Sequence, residues 1–108
     1  MEQGEIEVLL ELGQSYLLNK EYDNAIKKFG EALKINPHDP EVYYYLGLAY
    51  EGANKVENAI EMYEKTLILD NSFSNAELRL NELKNKIAEK SEKSEKSQPE
   101  TKKSKKKK

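Results

Sequence analysis

With 108 residues, 37% hydrophobic and 35% charged, the chain has the material for one small domain with a thin core. It contains no cysteine, which excludes disulfides, thiolate zinc sites and cysteine nucleophiles. The net charge of −2 conceals two pieces: residues 1–89 hold 9 Lys/Arg against 17 Asp/Glu, net −8, and residues 90–108 hold 9 Lys against 3 Glu, net +6.

Met1-Glu2-Gln3-Gly4-Glu5 is acidic and carries no apolar run, so no secretory leader is expected there. No stretch approaches the ~18 apolar residues of a membrane span. The expectation is a soluble cytoplasmic protein, or a nuclear one if the source is eukaryotic. From Gly4 to Leu18, Val8, Leu9, Leu12 and Tyr16 recur at spacings of 3 and 4 and predict a helix whose core stripe they form. Asn19-Lys20-Glu21 reads as a tight turn. A second helix is expected over Tyr22 to Ile35, with Tyr22, Ala25, Ile26, Phe29, Ala32 and Leu33 on one face. Gly30 lies inside it at a cost of about 1 kcal/mol relative to Ala, and the pattern offers no reason for it.

Asn36-Pro37-His38-Asp39-Pro40 breaks the helix, because Pro37 disfavours helical geometry at Asn36. Asp39 followed by Pro40 is an N-cap with proline at the first helical position, so a third helix is expected from Pro40 to Gly52. Ala53-Asn54-Lys55 is its turn, with Asn54 the residue that tolerates left-handed geometry. A fourth helix follows from Val56 to Leu69. Ser74-Asn75-Ala76-Glu77 has the spacing of a capping box and opens a fifth helix, on which Ala76, Leu80, Leu83 and Ile87 make a narrow apolar stripe.

Beyond Ala88 nothing is apolar. A Ser-Glu-Lys repeat extends the fifth helix by fraying. Residues 90–108 as a whole are expected to form a disordered basic tail, since no burial offsets the entropy of ordering them.

The units repeat. Leu12, Gly13 and Tyr16 return as Leu46, Gly47 and Tyr50, and Ala25, Ile26, Phe29 and Leu33 return as Ala59, Ile60, Tyr63 and Leu67, each 34 residues on. Leu9, Leu12, Gly13, Tyr16, Ala25, Phe29, Ala32 and Pro37 resemble the pattern of the tetratricopeptide repeat (TPR). Tyr43, Leu46, Gly47, Tyr50, Ala59 and Tyr63 resemble it again, with Thr66 where Ala is usual and Asn71 where Pro is usual. The resemblance implies an all-α solenoid of two helix–turn–helix repeats, 6–39 and 40–73, and a capping helix, 74–89. Residues 1–89 would form the domain. It also implies that Gly13, Gly47, Ala25 and Ala59 let paired helices approach closely, and that stacking of units supplies the core.

In this family partners usually lie on the concave face built by the first helix of each unit. By helix phase that face carries Leu10, Gln14, Tyr44, Tyr45, Leu48, Leu78 and Arg79, and the apolar members have no evident core duty. The resemblance therefore implies a non-enzymatic adaptor that binds a peptide or helix of a partner protein in an aromatic groove rimmed by carboxylates. Changing Tyr44 and Tyr45 to Ala would then weaken binding and leave helicity intact. The structural alternative is that both tyrosines pack against neighbouring helices. One subfamily clamps chaperone C-terminal carboxylates with Lys and Asn; the corresponding positions here are Leu10, Gln14, Tyr45, Asn75 and Arg79. Only Arg79 suits a carboxylate, which argues against that type of clamp.

Two further readings stand beside this one. The tail lysines Lys102, Lys103, Lys105, Lys106, Lys107 and Lys108 suit weak contact with nucleic acid or an anionic membrane surface, against the plainer reading of a solubilising tail. The apolar patch would also serve a homodimer. No cofactor or metal is expected: His38 is the single histidine and sits in a turn, and the carboxylates are spread over solvent-facing positions.

Overall fold

The computed structural model describes the backbone of residues 2–97 and the side chains of residues 3–89; the tail lysines from Lys102 onward lie outside the described residues. Among the described residues five helices follow one another: α1 (Glu2–Leu18), α2 (Tyr22–Ile35), α3 (Pro40–Gly52), α4 (Val56–Leu69) and α5 (Ser74–Ser97). Each packs against the next, and α1 also touches α3. The fold is an all-α solenoid of two helical hairpins closed by α5, and none of the described helices is long and apolar enough to cross a membrane.

Each hairpin is held together by a glycine under an aromatic ring. A Cβ on Gly13 would overlap the ring of Phe29, and a Cβ on Gly47 would overlap the ring of Tyr63. The missing side chain is the space the ring occupies, which is why Gly13 and Gly47 recur at the same place in both units. Phe29 and Tyr63 are fully buried there, beside Ala25 and Ala32 or Ala59 and Thr66. Thr66 replaces the small Ala32 of the first unit, and its hydroxyl donates to the Met62 carbonyl at 2.9 Å, so its burial leaves no polar atom unpaired.

The turns repeat as closely as the cores. Lys20 and Asn54 both have positive φ, 63° and 66°. The N–H of Glu21 donates to Tyr16 O and that of Lys20 to Leu17 O. The N–H of Lys55 donates to Tyr50 O and that of Asn54 to Glu51 O. This pairing closes a helix C-terminus through one left-handed residue, a position usually held by glycine. Asn54 fits it at little cost and Lys20 less well.

The α2–α3 and α4–α5 loops turn on an acceptor side chain, Asn36 Oδ1 receiving the His38 N–H at 3.0 Å and Asp70 Oδ1 the Ser72 N–H at 3.1 Å. Asp70 also accepts from the Ser72 hydroxyl at 2.7 Å, and these bonds hold its carboxyl below the ordinary range. Asp39 caps α3 by accepting from the Glu41 N–H at 3.1 Å, with Pro40 at the first position of the helix.

Expectations for α1 and α5 need correction. The core side of α1 is Ile6, Leu10 and Gly13, whereas Val8 and Leu12 face outward at 55% and 43% exposure. Both stripes are apolar at helical spacing, and the choice is made by what α1 packs against, namely α2 and α3. On α5 the stripe Ala76, Leu80 and Leu83 is buried, but Ile87 is 41% exposed. The helix itself runs on to Ser97, past residue 89 where the cap was expected to end. The extension expected of the Ser-Glu-Lys repeat is thus present over residues 90–97, inside the stretch also read as tail, and its Glu and Lys are strong helix formers. The remainder, 98–108, lies outside the described residues.

Candidate functional site

The first helices of the units and the cap, α1, α3 and α5, meet on one side of the solenoid. Between them lies a cleft of about 330 Å³ lined by Leu17, Tyr22, Leu48, Glu51, Gly52 and Arg79. Tyr22 reaches it from α2 by lying over Gly52, where a Cβ would overlap its ring. The glycine at the end of α3 thus lets an aromatic of the preceding unit close one wall.

The opposite wall is a polar network. Glu51 Oε2 accepts from Arg79 Nη2 at 2.8 Å, and Glu51 Oε1 accepts both from Arg79 Nε at 3.3 Å and from the Tyr63 hydroxyl at 2.8 Å. Arg79 also lies 3.9 Å from Glu82. One carboxylate therefore joins α3, α4 and α5, with Tyr63 fully buried beneath it. Burial, and then donation to a carboxylate, push the Tyr63 phenol far above its ordinary value, so it stays protonated and donates. Partial burial of Arg79 opposes its charge, but the bonds to Glu51 and the nearby Tyr63 hydroxyl outweigh it and raise the pKa. Its guanidinium is committed to a carboxylate of the same chain, leaving it poorly placed to receive one from a ligand.

The anticipated surface residues are distributed as follows. Leu48 and Arg79 line the cleft. Gln14 is half-buried on α1 and Leu78 is 57% exposed on α5. Leu10, expected to have no core duty, belongs to the core beside Phe29 and Val42, because α1 contacts α3 as well as α2.

Tyr44 and Tyr45 are half-buried and have core duties of their own. Tyr45 stacks on Phe29 at 5.7 Å between centroids, and Tyr44 meets Tyr45 at 5.6 Å, Tyr63 at 5.9 Å and Phe73 at 5.1 Å. This aromatic row joins the cores of the two units. Burial, then the Glu41 carboxylate and Tyr44, raise the Tyr45 pKa. Removing both rings would strip a packed row and not a free patch, so loss of binding by that double variant would not by itself report a partner site. Sequence reading also missed the Glu51–Arg79–Tyr63 network. Its members lie 12 and 28 residues apart and leave no local signal.

Comparisons with known proteins agree with this architecture. A family profile described as "TPR repeat" matches residues 13–54, and one described as "Tetratricopeptide repeat" matches residues 40–73. The chain is similar to the peroxisomal targeting signal receptor of Kluyveromyces lactis, 38% identical over 74 residues that make up 68% of this chain and 13% of the relative. It is also similar to the human RANBP2-like and GRIP domain-containing protein 1, 34% identical over 76 residues, or 68% of this chain and 4% of the relative. It spans only a small part of the length of these relatives. Among solved structures, the Arabidopsis OM64 TPR domain superposes with a TM-score of 0.77 at 20% identity, covering 82% of this chain and 74% of that one, which is a likeness of fold. With two matched repeats, a 34-residue register and glycine-under-ring packing in both units, the chain belongs to the tetratricopeptide repeat family.

Proposed function

We propose that the chain is a protein–protein interaction module that holds an extended or helical segment of a partner on its concave side. The observation that carries this reading is the cleft where Leu48 of α3 and Arg79 of α5 come together with Leu17 of α1. A site made by three helices offers a continuous track for a chain segment. The K. lactis relative, named as a receptor for a targeting signal, supports a peptide-binding role without specifying the peptide.

The chemistry of the track favours some segments over others. Glu41 and Glu82 are exposed on α3 and α5 beside it, while its cation Arg79 is held by Glu51. A segment with apolar residues and a basic residue fits this surface; a free C-terminal carboxylate does not. A partner group on Leu48 would gain by apolar burial, at roughly 25 cal/mol per Å².

A pull-down comparing the full chain with a Leu48→Lys, Leu78→Lys variant tests this. Both positions retain some exposure, so the helices tolerate the change. A partner captured by the parent and lost from the variant supports the concave site. Equal capture by both would sink it, and capture that instead vanishes on removing residues 98–108 would assign binding to the lysine tail.

A further inference from the structure

The 34-residue register relates α1 to α3 and α5, and so relates three helix faces. On α3 the face is Val42, Leu46 and Ala49, and on α5 it is Ala76, Leu80 and Leu83; all six residues are buried. Each face covers the second helix of the unit before it, α2 or α4. The equivalent face on α1 is Val8, Leu12 and Ser15. Here Leu12 is 43% exposed where Leu46 is 4%, and Val8 is 55% exposed where Val42 is fully buried. The helix ends in Leu18, 84% exposed, at the position where Gly52 receives Tyr22. Beside this face a cleft of about 550 Å³ opens between Val8, Leu9 and Ile35, with Glu5 at its edge. In the second unit the residue equivalent to Leu9 is Tyr43, whose hydroxyl reaches the preceding loop at Pro37 O, 2.9 Å away.

We propose that this outer face of α1 is a second docking surface, distinct from the concave cleft, and that its occupant is an amphipathic helix of a partner protein. The helices on the two equivalent faces show what fits. α2 presents Tyr22, Ile26, Phe29 and Leu33, and α4 presents Val56, Ile60, Tyr63 and Leu67. The occupant therefore carries large apolar residues at i, i+4, i+7 and i+11.

Charge specifies the flanks. α1 contains Glu5, Glu7 and Glu11 and no lysine or arginine. Glu11 stands three residues from Val8 and four from Ser15, beside them on the helix surface, so lysine or arginine flanking the apolar edge completes the match. A second copy of this chain fits poorly. Its own edges of that pattern are already covered by α3 and α5, and two α1 faces set together would oppose their glutamates.

The test uses a capped synthetic peptide with the sequence of residues 21–36, which bears the pattern and Lys27, Lys28 and Lys34. It is titrated into the isotope-labelled full chain, and amide shifts are followed by NMR. The expected result is saturable shifts confined to α1 and the Leu9–Ile35 cleft, weakened about tenfold or more by Leu12→Glu and unchanged by Leu48→Lys. Val8→Lys serves as a second variant if Leu12→Glu loses helicity. Absence of shifts on α1, or shifts that both α1 variants leave intact, overturns the proposal. So does sedimentation showing that the chain alone forms a dimer that Leu12→Glu dissolves, since the face would then be taken by a second copy.

Discussion

The Tyr63 hydroxyl donates to Glu51 Oε1 at 2.8 Å from a ring that is itself fully buried over Gly47. The same carboxylate receives Arg79 of the cap. Removing Glu51 leaves a buried hydroxyl without its acceptor and a guanidinium with only the 3.9 Å contact to Glu82. Glu51→Ala is expected to cost about 2 kcal/mol, measured by urea denaturation. Tyr63→Phe in the same background should recover part of it, because the unpaired hydroxyl is then gone.

The phenol also sets a pH dependence. Its folded pKa lies above the unfolded value of about 10, so its contribution to stability is present in full below that pH. As pH rises past 10 the unfolded chain releases the proton and the folded chain keeps it, and stability falls. Denaturation midpoints between pH 8 and 11 should decline at the alkaline end, and less steeply in Tyr63→Phe; Tyr45, also raised, contributes the residual slope.

Two glycines of one hairpin should respond to alanine in opposite directions. At Gly13 the new methyl would run into the Phe29 ring, and Gly13→Ala should destabilise by roughly 1–3 kcal/mol. At Gly30 an added Cβ meets nothing within 4 Å, and Gly30→Ala should stabilise by about 1 kcal/mol through helix propensity. Thermal melts of the two variants check both signs.

Lys20 holds the left-handed residue of the first turn at φ 63°, the place Asn54 takes in the second. Lys20→Gly should raise stability by up to about 1 kcal/mol, since glycine adopts that conformation without the Cβ clash. A fall in the melting temperature would mean that the lysine side chain contributes something the backbone geometry does not show.

Much of the fold was legible in the sequence because repetition doubles each local signal. The Asp39–Pro40 cap, the Asn54 turn and the bounds of α2, α3 and α4 all follow from spacing and from residue chemistry. What the spacing misjudged was the facing of α1: of the expected stripe Leu9 and Tyr16 pack on the core, but Val8 and Leu12 face outward and Ile6, Leu10 and Gly13 are buried in their stead, a choice that the packed neighbours make. The concave surface was harder. Tyr44 and Tyr45 read as spare aromatics from their own helix, and their partners Phe29, Tyr63 and Phe73 come from three other places in the chain.

The central claim is that a partner segment lies along the concave cleft. Site-specific photo-crosslinking tests it directly, with a photoreactive phenylalanine analogue placed at Leu48 in one preparation and at the exposed Glu61 of α4 in another. The account predicts a crosslinked partner from position 48 and none from position 61. A crosslink from 61 alone, or equal crosslinks from both, would contradict it.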